Sequence, residues 1–505
     1  MTLSRGFRMV ALAGLAAMWT LGAAAQGTLR IGIAEDPDVL DPTTNRTAAG
    51  RQPLTALCDK LYDVSTTLEL VPQLALGHEI AADGLSVVLR LRPNVRFHDG
   101  EPFDAEAVRF NMERNLTTTG SFRRTELVAL DSVEVVDPLT VRLKLKQPQA
   151  YLLMVILAER AGMMVSPKAA RELGDRFGSR PVCAGPYKFV ERVPQGRIVV
   201  QRFTEHWNAA AFPFDRIEYL PITDSTVRLA ALRSGEIQVA ERLTPTDVPQ
   251  LRSDARVRVA AASDLGFHSL RLNTNNGPRG QLLGRDVRIR QAIEAAIDRR
   301  AMVQALFEGQ YGVGNQFVNP ESPYYDASHP VPPRDVALAR RLLREAGASN
   351  LTFTLLVPAE RERQEAAQFI QAMLAEAGIT MNLETQDNAT LLQNAQRGRY
   401  EAAFTFWSGR PHPDGNSFSH YSCAGALNDS RYCNEALDRV LVRAQQATTD
   451  AERTALYRQA NGIVAEDRPT IILWHRRTFT GISARLQGFV AHPDSTIRLA
   501  GLRLN

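Results

Sequence analysis

Residues 400–416 read Tyr-Glu-Ala-Ala-Phe-Thr-Phe-Trp-Ser-Gly-Arg-Pro-His-Pro-Asp-Gly-Asn. Arg410 is the residue here best suited to chemistry. Its guanidinium is a rigid fork of donors that holds a carboxylate or phosphate bidentately. The competing role is a structural ion pair, for example with Asp414. Trp407 offers a flat apolar wall, or a core side chain at the end of a strand. Ser408 and Gly409 lie between the two. His412 supplies a polar contact or a metal ligand, or simply a hydrogen bond within its loop. The candidate set is therefore Trp407, Ser408, Gly409, Arg410 and His412, and the chemistry is recognition of an anionic group.

The surrounding elements must place this loop. Leu351, Phe353, Leu355 and Val357 alternate as a strand, and 362–377 has a helical apolar face stopped by Gly378. Ile379, Met381 and Leu383 form a second strand, 390–397 a short helix, and 402–407 a third strand. The order β-α-β-α-β implies parallel strands with helical crossovers. In such sheets ligands bind beyond the carboxyl ends of the strands, which is where 407–410 falls.

Upstream, 28–33 is an alternating strand, Asp104 caps a helix, and Val133 to Leu145 read as a hairpin around Asp137-Pro138. Asp286 caps a helix whose apolar stripe runs on through Phe307 to Gly309. Residues 310–334 form a long Gly-, Pro- and Tyr-rich loop. Helices at 435–447 and 450–466 follow, then a strand at 470–474. Chain crossings near 267–273 and 474–482 imply two lobes, the first discontinuous, closing on a cleft.

The chain has 505 residues, enough for two or three domains. Its net charge of +4 gives nucleic-acid binding no electrostatic support. Arg5 and Arg8, the apolar run 9–21 and Ala23-Ala24-Ala25 form a signal peptide at 1–25, cleaved before Gln26. No other stretch is apolar enough to span a membrane, and no Cys follows the cleavage site to take a lipid. Four cysteines suit an oxidising compartment and allow three pairings. Cys423 and Cys433 share one loop-rich segment and are expected to pair, leaving Cys58 with Cys183. A zinc site is the alternative, but there is no C-x-x-C. His78-Glu79 begins a zinc-protease pattern that Ala82 breaks, and neither G-x-S-x-G nor a P-loop is present. Arg123 and Arg124 read as a solvated charged face. No enzyme activity and no cofactor are expected.

Several blocks together resemble the periplasmic solute-binding proteins of peptide ABC transporters, the dipeptide, oligopeptide and nickel family. They are Leu70-Val-Pro-Gln-Leu-Ala75, the run from Leu89 to Val108, Gly185-Pro-Tyr-Lys-Phe189, Arg228 to Glu236, and Val287 to Asp298. The resemblance covers nearly the whole mature chain. It implies an α/β, two-lobed periplasmic-binding-protein fold of the class II type, with an extra subdomain in the first lobe. The first lobe would run 26–268, with that subdomain at about 57–185, and be completed by 478–505; the second would be 269–477. Asn45 and Arg46 join the candidate ligand residues, because the family often meets ligand in this loop.

The resemblance implies a monomer in the periplasm that delivers a small peptide or peptide-like solute to ABC permease subunits, with no nucleic-acid partner. The alternatives are a receptor for a nickel chelate or other metallophore, and a secreted hydrolase. In the dipeptide-binding branch an Arg and a Tyr hold the peptide where this chain has Val357 and Ala359. An Asp three residues after the Trp, which pairs with the peptide's amino group, is replaced by Arg410. That change of sign implies a carboxylate or other anionic group facing the second lobe. Modified peptides, peptide-like acids and conjugates such as glutathione meet that condition.

Overall fold

The structure is a computed structural model that describes residues 26–505 except 46, 125, 426 and 448. The expected signal peptide and Arg46 therefore lie outside the described residues. Among these residues, one sheet of eleven strands runs through the whole molecule. Its centre is a pair of long antiparallel strands, Val257–Leu272 and Thr470–Ser483, paired from Val257 opposite Ser483 to Arg271 opposite Thr470 with register shifts after Ser263 and after His268. These are the two crossings anticipated from sequence. Both are longer than expected, because each strand belongs to both lobes.

On one side of this pair stand Val239–Ala240, Gln26–Ile33, Phe214–Pro221, Arg197–Arg202 and Tyr187–Val193, in that order. Gln26–Ile33 pairs in parallel with strands on both flanks. Leu29, Ile31 and Ile33 share one face of this strand and are fully buried, whereas Arg30 on the other face is exposed. On the other side stand Ala402–Trp407, Thr352–Pro358 and Thr380–Gln386, all parallel to one another, as the β-α-β-α-β pattern requires. This is the two-lobed α/β fold.

The first lobe carries an insert with its own four-stranded sheet and its own core, built on Val87, Leu89, Val108, Met112, Val141 and Leu143. The neck of the insert is narrow. The Gly185 amide donates to the Leu57 carbonyl at 2.9 Å, and Cys58 is bonded to Cys183 beside it. The second disulfide joins Cys423 and Cys433.

Three local readings change. The helix expected from Asp286 to Phe307 is two, Val287–Ala295 and Arg299–Phe307. Asp298 interrupts it by accepting a hydrogen bond from the Ala301 amide as the N-cap of the second helix. The loop after Trp407 is shorter than expected, because Asp414 opens a helix to Tyr421. Arg123 is not a solvated residue: it is 3% exposed and paired with Glu126 at 2.7 Å. Among the described residues, no helix is long and apolar enough to cross a membrane.

Candidate ligand-binding site

The strand Ala402–Trp407 ends at the cleft, and Asn416 fixes the loop that follows. The Trp407 indole Nε1 and the Arg410 amide both donate to Asn416 Oδ1, at 2.8 and 2.7 Å. Asn416 Nδ2 in turn donates to the Arg410 carbonyl at 3.1 Å. Gly409 turns the chain with φ +74°, and a Cβ there would fall 2.2 Å from the Leu265 carbonyl. Only glycine fits this contact between the loop and the crossing strand.

Arg410 is thereby aimed into the cleft. Its Nη1 donates to the Gly409 carbonyl at 2.8 Å, and its guanidinium lies 4.8 Å from the Trp407 ring centroid. It makes no ion pair with Asp414. That carboxylate accepts instead from Gln445 Nε2 at 2.9 Å and the Tyr457 hydroxyl at 3.1 Å. Burial lowers the Arg410 pKa, and Glu126 and Glu159 of the opposite lobe oppose the shift. Among the described residues, only Nη1 of the guanidinium makes hydrogen bonds, to the Gly409 carbonyl and Ser408 Oγ.

A cavity of about 760 Å³ opens in front of this loop. Ser408, Gly409, Arg410, Pro411 and His412 line it from the second lobe. Opposite stand Arg51, Arg123, Glu126, Glu159 and Arg160, beside an apolar wall that includes Leu127, Leu130, Leu153 and Ile156. Asp264, Leu265 and 476–479 of the crossing strands close it below. Charged and apolar surfaces thus meet in one enclosed space, as in small-molecule sites generally.

Most of the charges are already paired. Arg51 meets Glu159 at 3.3 Å, Arg123 meets Glu126, and Arg242 meets Glu35 at 2.9 Å. Arg160 has no carboxylate partner among the described residues; it donates to Asn45 Oδ1 at 2.8 Å and the Thr47 carbonyl at 3.1 Å. Burial, and the positive charges of Arg123 and Arg51, bring its pKa down to about 10. An anion beside it would oppose this shift by favouring the charged guanidinium.

The candidates from sequence divide accordingly. Ser408, Gly409, Arg410 and His412 line the cavity. Trp407 does not; it supports Arg410 from behind and meets His420 edge-on, with ring centroids 4.4 Å apart. Asn45 is fully buried and holds Arg160 rather than facing the space. His412 is nearly buried among Tyr151, Tyr324 and Tyr457, and burial lowers its pKa to about 3. Val357 is buried in its strand and offers the cavity no polar group. Among the described residues, no three His, Cys, Asp or Glu side chains gather as metal ligands.

Sequence reasoning missed Arg51, Glu126, Glu159, Arg160 and Asp264. One signal was available for Asp264: Gly266 interrupts the alternation of a strand, and such a glycine marks a bulge or a close backbone approach.

Residues 69–428 match the family described as bacterial extracellular solute-binding proteins, family 5 Middle. A glutathione-binding protein, GsiB of Pectobacterium atrosepticum, is 28% identical over 469 residues, spanning 90% of each chain. The solved structure of HbpA2 from Haemophilus parasuis superposes with a TM-score of 0.85 at 25% identity, covering 95% of this chain and 100% of that one. DppA from Helicobacter pylori, in complex with peptide STSA, gives 0.79 at 24% identity over 95% and 98% of the two chains.

Proposed function

The chain belongs to the bacterial extracellular solute-binding proteins of family 5, and from that premise we propose that it captures a peptide-like, carboxylate-bearing solute between its lobes and delivers it to the permease of an ABC importer. One observation carries the ligand class. Arg410 and Arg160 reach the same cavity from opposite lobes, and neither has a carboxylate partner among the described residues. A carboxylate between them gains charge-assisted hydrogen bonds in an enclosed site and relieves the repulsion among the arginines.

Bringing both arginines onto one anion also requires the lobes to come together. Ligand affinity is thereby coupled to closure, because only the closed state offers both contacts. The lobe boundaries that fit this reading are 26–268 with 478–505, and 269–477, with the insert at about 57–185. The protein would act in the periplasm as a monomer after loss of residues 1–25, with no catalytic step and no nucleic-acid partner. The glutathione-binding relatives make glutathione the first compound to test.

Native mass spectrometry of the protein purified from periplasm tests the reading. A bound small acid released on denaturation is expected. A ligand-free protein that is also silent to peptides and peptide-like acids in a thermal-shift screen would refute it.

A further inference from the structure

Asp264 owes its position to an irregularity in the sheet. Pairing between the crossing strands passes from Ser263 opposite Arg477 directly to Phe267 opposite His475. Asp264, Leu265 and Gly266 thus face Arg476 alone. A bulge of this kind leaves residues unpaired and re-aims their side chains. It is wedged against the ligand loop: Gly409 packs on the Leu265 backbone, and a Cβ on Gly266 would lie 2.4 Å from the Trp407 carbonyl. Asp264 Oδ1 accepts from the Gly266 amide at 3.2 Å, which orients the carboxylate.

The other carboxylates lining the cavity are occupied. Glu35, Glu126 and Glu159 each pair with an arginine, Glu360 pairs with Arg363, and Asp494 pairs with Arg498. Asp414 is taken by Gln445 and Tyr457. Among the described residues, no cation lies within ion-pair distance of Asp264. Arg476, which faces the bulge, lies over the Phe406 ring at 5.4 Å from its centroid and favours the charged form of Asp264 against its burial without forming an ion pair with it. Among the described residues, the cavity therefore presents one carboxylate outside any ion pair or side-chain hydrogen bond, set on the crossing strand, besides Arg410 and Arg160, which have no carboxylate partner.

We propose that the solute is a zwitterion with more carboxylates than ammonium groups, its ammonium held by Asp264 and a carboxylate held by Arg410 and Arg160. This rests on the reading of the cavity as a site for peptide-like acids, and it deepens that reading. An acid in the bulge takes the part of an amine partner, while the loop after Trp407 takes the anion.

Calorimetry on the intact mature protein, with reduced glutathione and its N-acetylated form as probes, separates the two ideas. Acetylation removes the ammonium and leaves both carboxylates. The free amine should bind at least about tenfold tighter to the wild type, as expected for loss of a charged hydrogen bond. Asp264→Asn should bind both forms within about threefold of each other. Equal binding of the two forms by wild type, or full discrimination kept by Asp264→Asn, overturns the role of Asp264 while leaving the anion site standing. The wild-type comparison needs no variant to fold. Failure of the wild type to bind either form, or free and N-acetylated acidic dipeptides, overturns the binding reading itself and this inference with it.

Discussion

The guanidinium of Arg453 lies over the ring of Tyr151, 3.2 Å from its centroid. Tyr151 belongs to the insert of the first lobe, and Arg453 to the helix Asp450–Asp467 of the second. Arg453 is 1% exposed and held in place by Asp450 at 2.5 Å and the Ala447 carbonyl at 2.9 Å. His412 lies on another side of Tyr151, at 5.3 Å between centroids, and Gln149 Nε2 meets Gln445 Oε1 nearby at 3.3 Å. A tyrosine of one lobe is thus seated in a pocket of the other, next to the ligand cavity.

A desolvated cation–π contact contributes about 2 kcal/mol. Tyr151→Ala should therefore favour the open state and speed ligand release by up to roughly thirtyfold. Small-angle scattering of the ligand-free protein should show a larger radius of gyration, and stopped-flow a faster off-rate. No change in either would mean that Tyr151 takes no part in closure.

Asp414 carries a cost in the fold. Burial raises its pKa from the ordinary 3.8 to about 6, although Gln445 and Tyr457 donate to it. A carboxylate raised in this way destabilises the folded state at every pH above its folded pKa. The penalty fades as pH falls from about 6 towards 4, because the folded protein takes up the proton first. Asp414→Asn should therefore be more stable than wild type at pH 8, by about 3 kcal/mol. That advantage should vanish near pH 4. Denaturant unfolding of both proteins across this range checks it, and a constant difference would contradict it.

The two disulfides should contribute unequally. Cys58 and Cys183 are 125 residues apart, whereas Cys423 and Cys433 are 10 apart. Restricting the unfolded chain gives about 5 kcal/mol for the long loop and about 3 kcal/mol for the short one. The double serine variant at 58 and 183 should melt at a lower temperature than the one at 423 and 433. The reverse order would mean that the neck of the insert is held chiefly by packing.

The second lobe was readable because its signals are local. Alternation gave the strands, Gly378 and Gly398 marked helix ends, and the β-α-β-α-β order placed 407–410 at the cleft. The opposite wall was not readable. Arg123 has the same local signature whether it is solvated or buried, and only the packing of the insert over Asn45 and Glu126 decides. Asn45 was expected at the ligand and stands behind Arg160, since loop position does not tell which way a side chain faces. Gly266 marks an irregularity in its own strand, but the register jump at Asp264–Gly266 arises from pairing with a strand more than two hundred residues away, so its extent is set only by the pair.

Calorimetry of Arg410→Ala against the solute identified by mass spectrometry is the most direct measurement. A charge-assisted bond from this residue contributes about 1.5–3 kcal/mol. The expected result is binding weaker by about one to two powers of ten, with circular dichroism and melting unchanged. Affinity held within about twofold of wild type in a folded Arg410→Ala protein would contradict an anionic group bound at this loop.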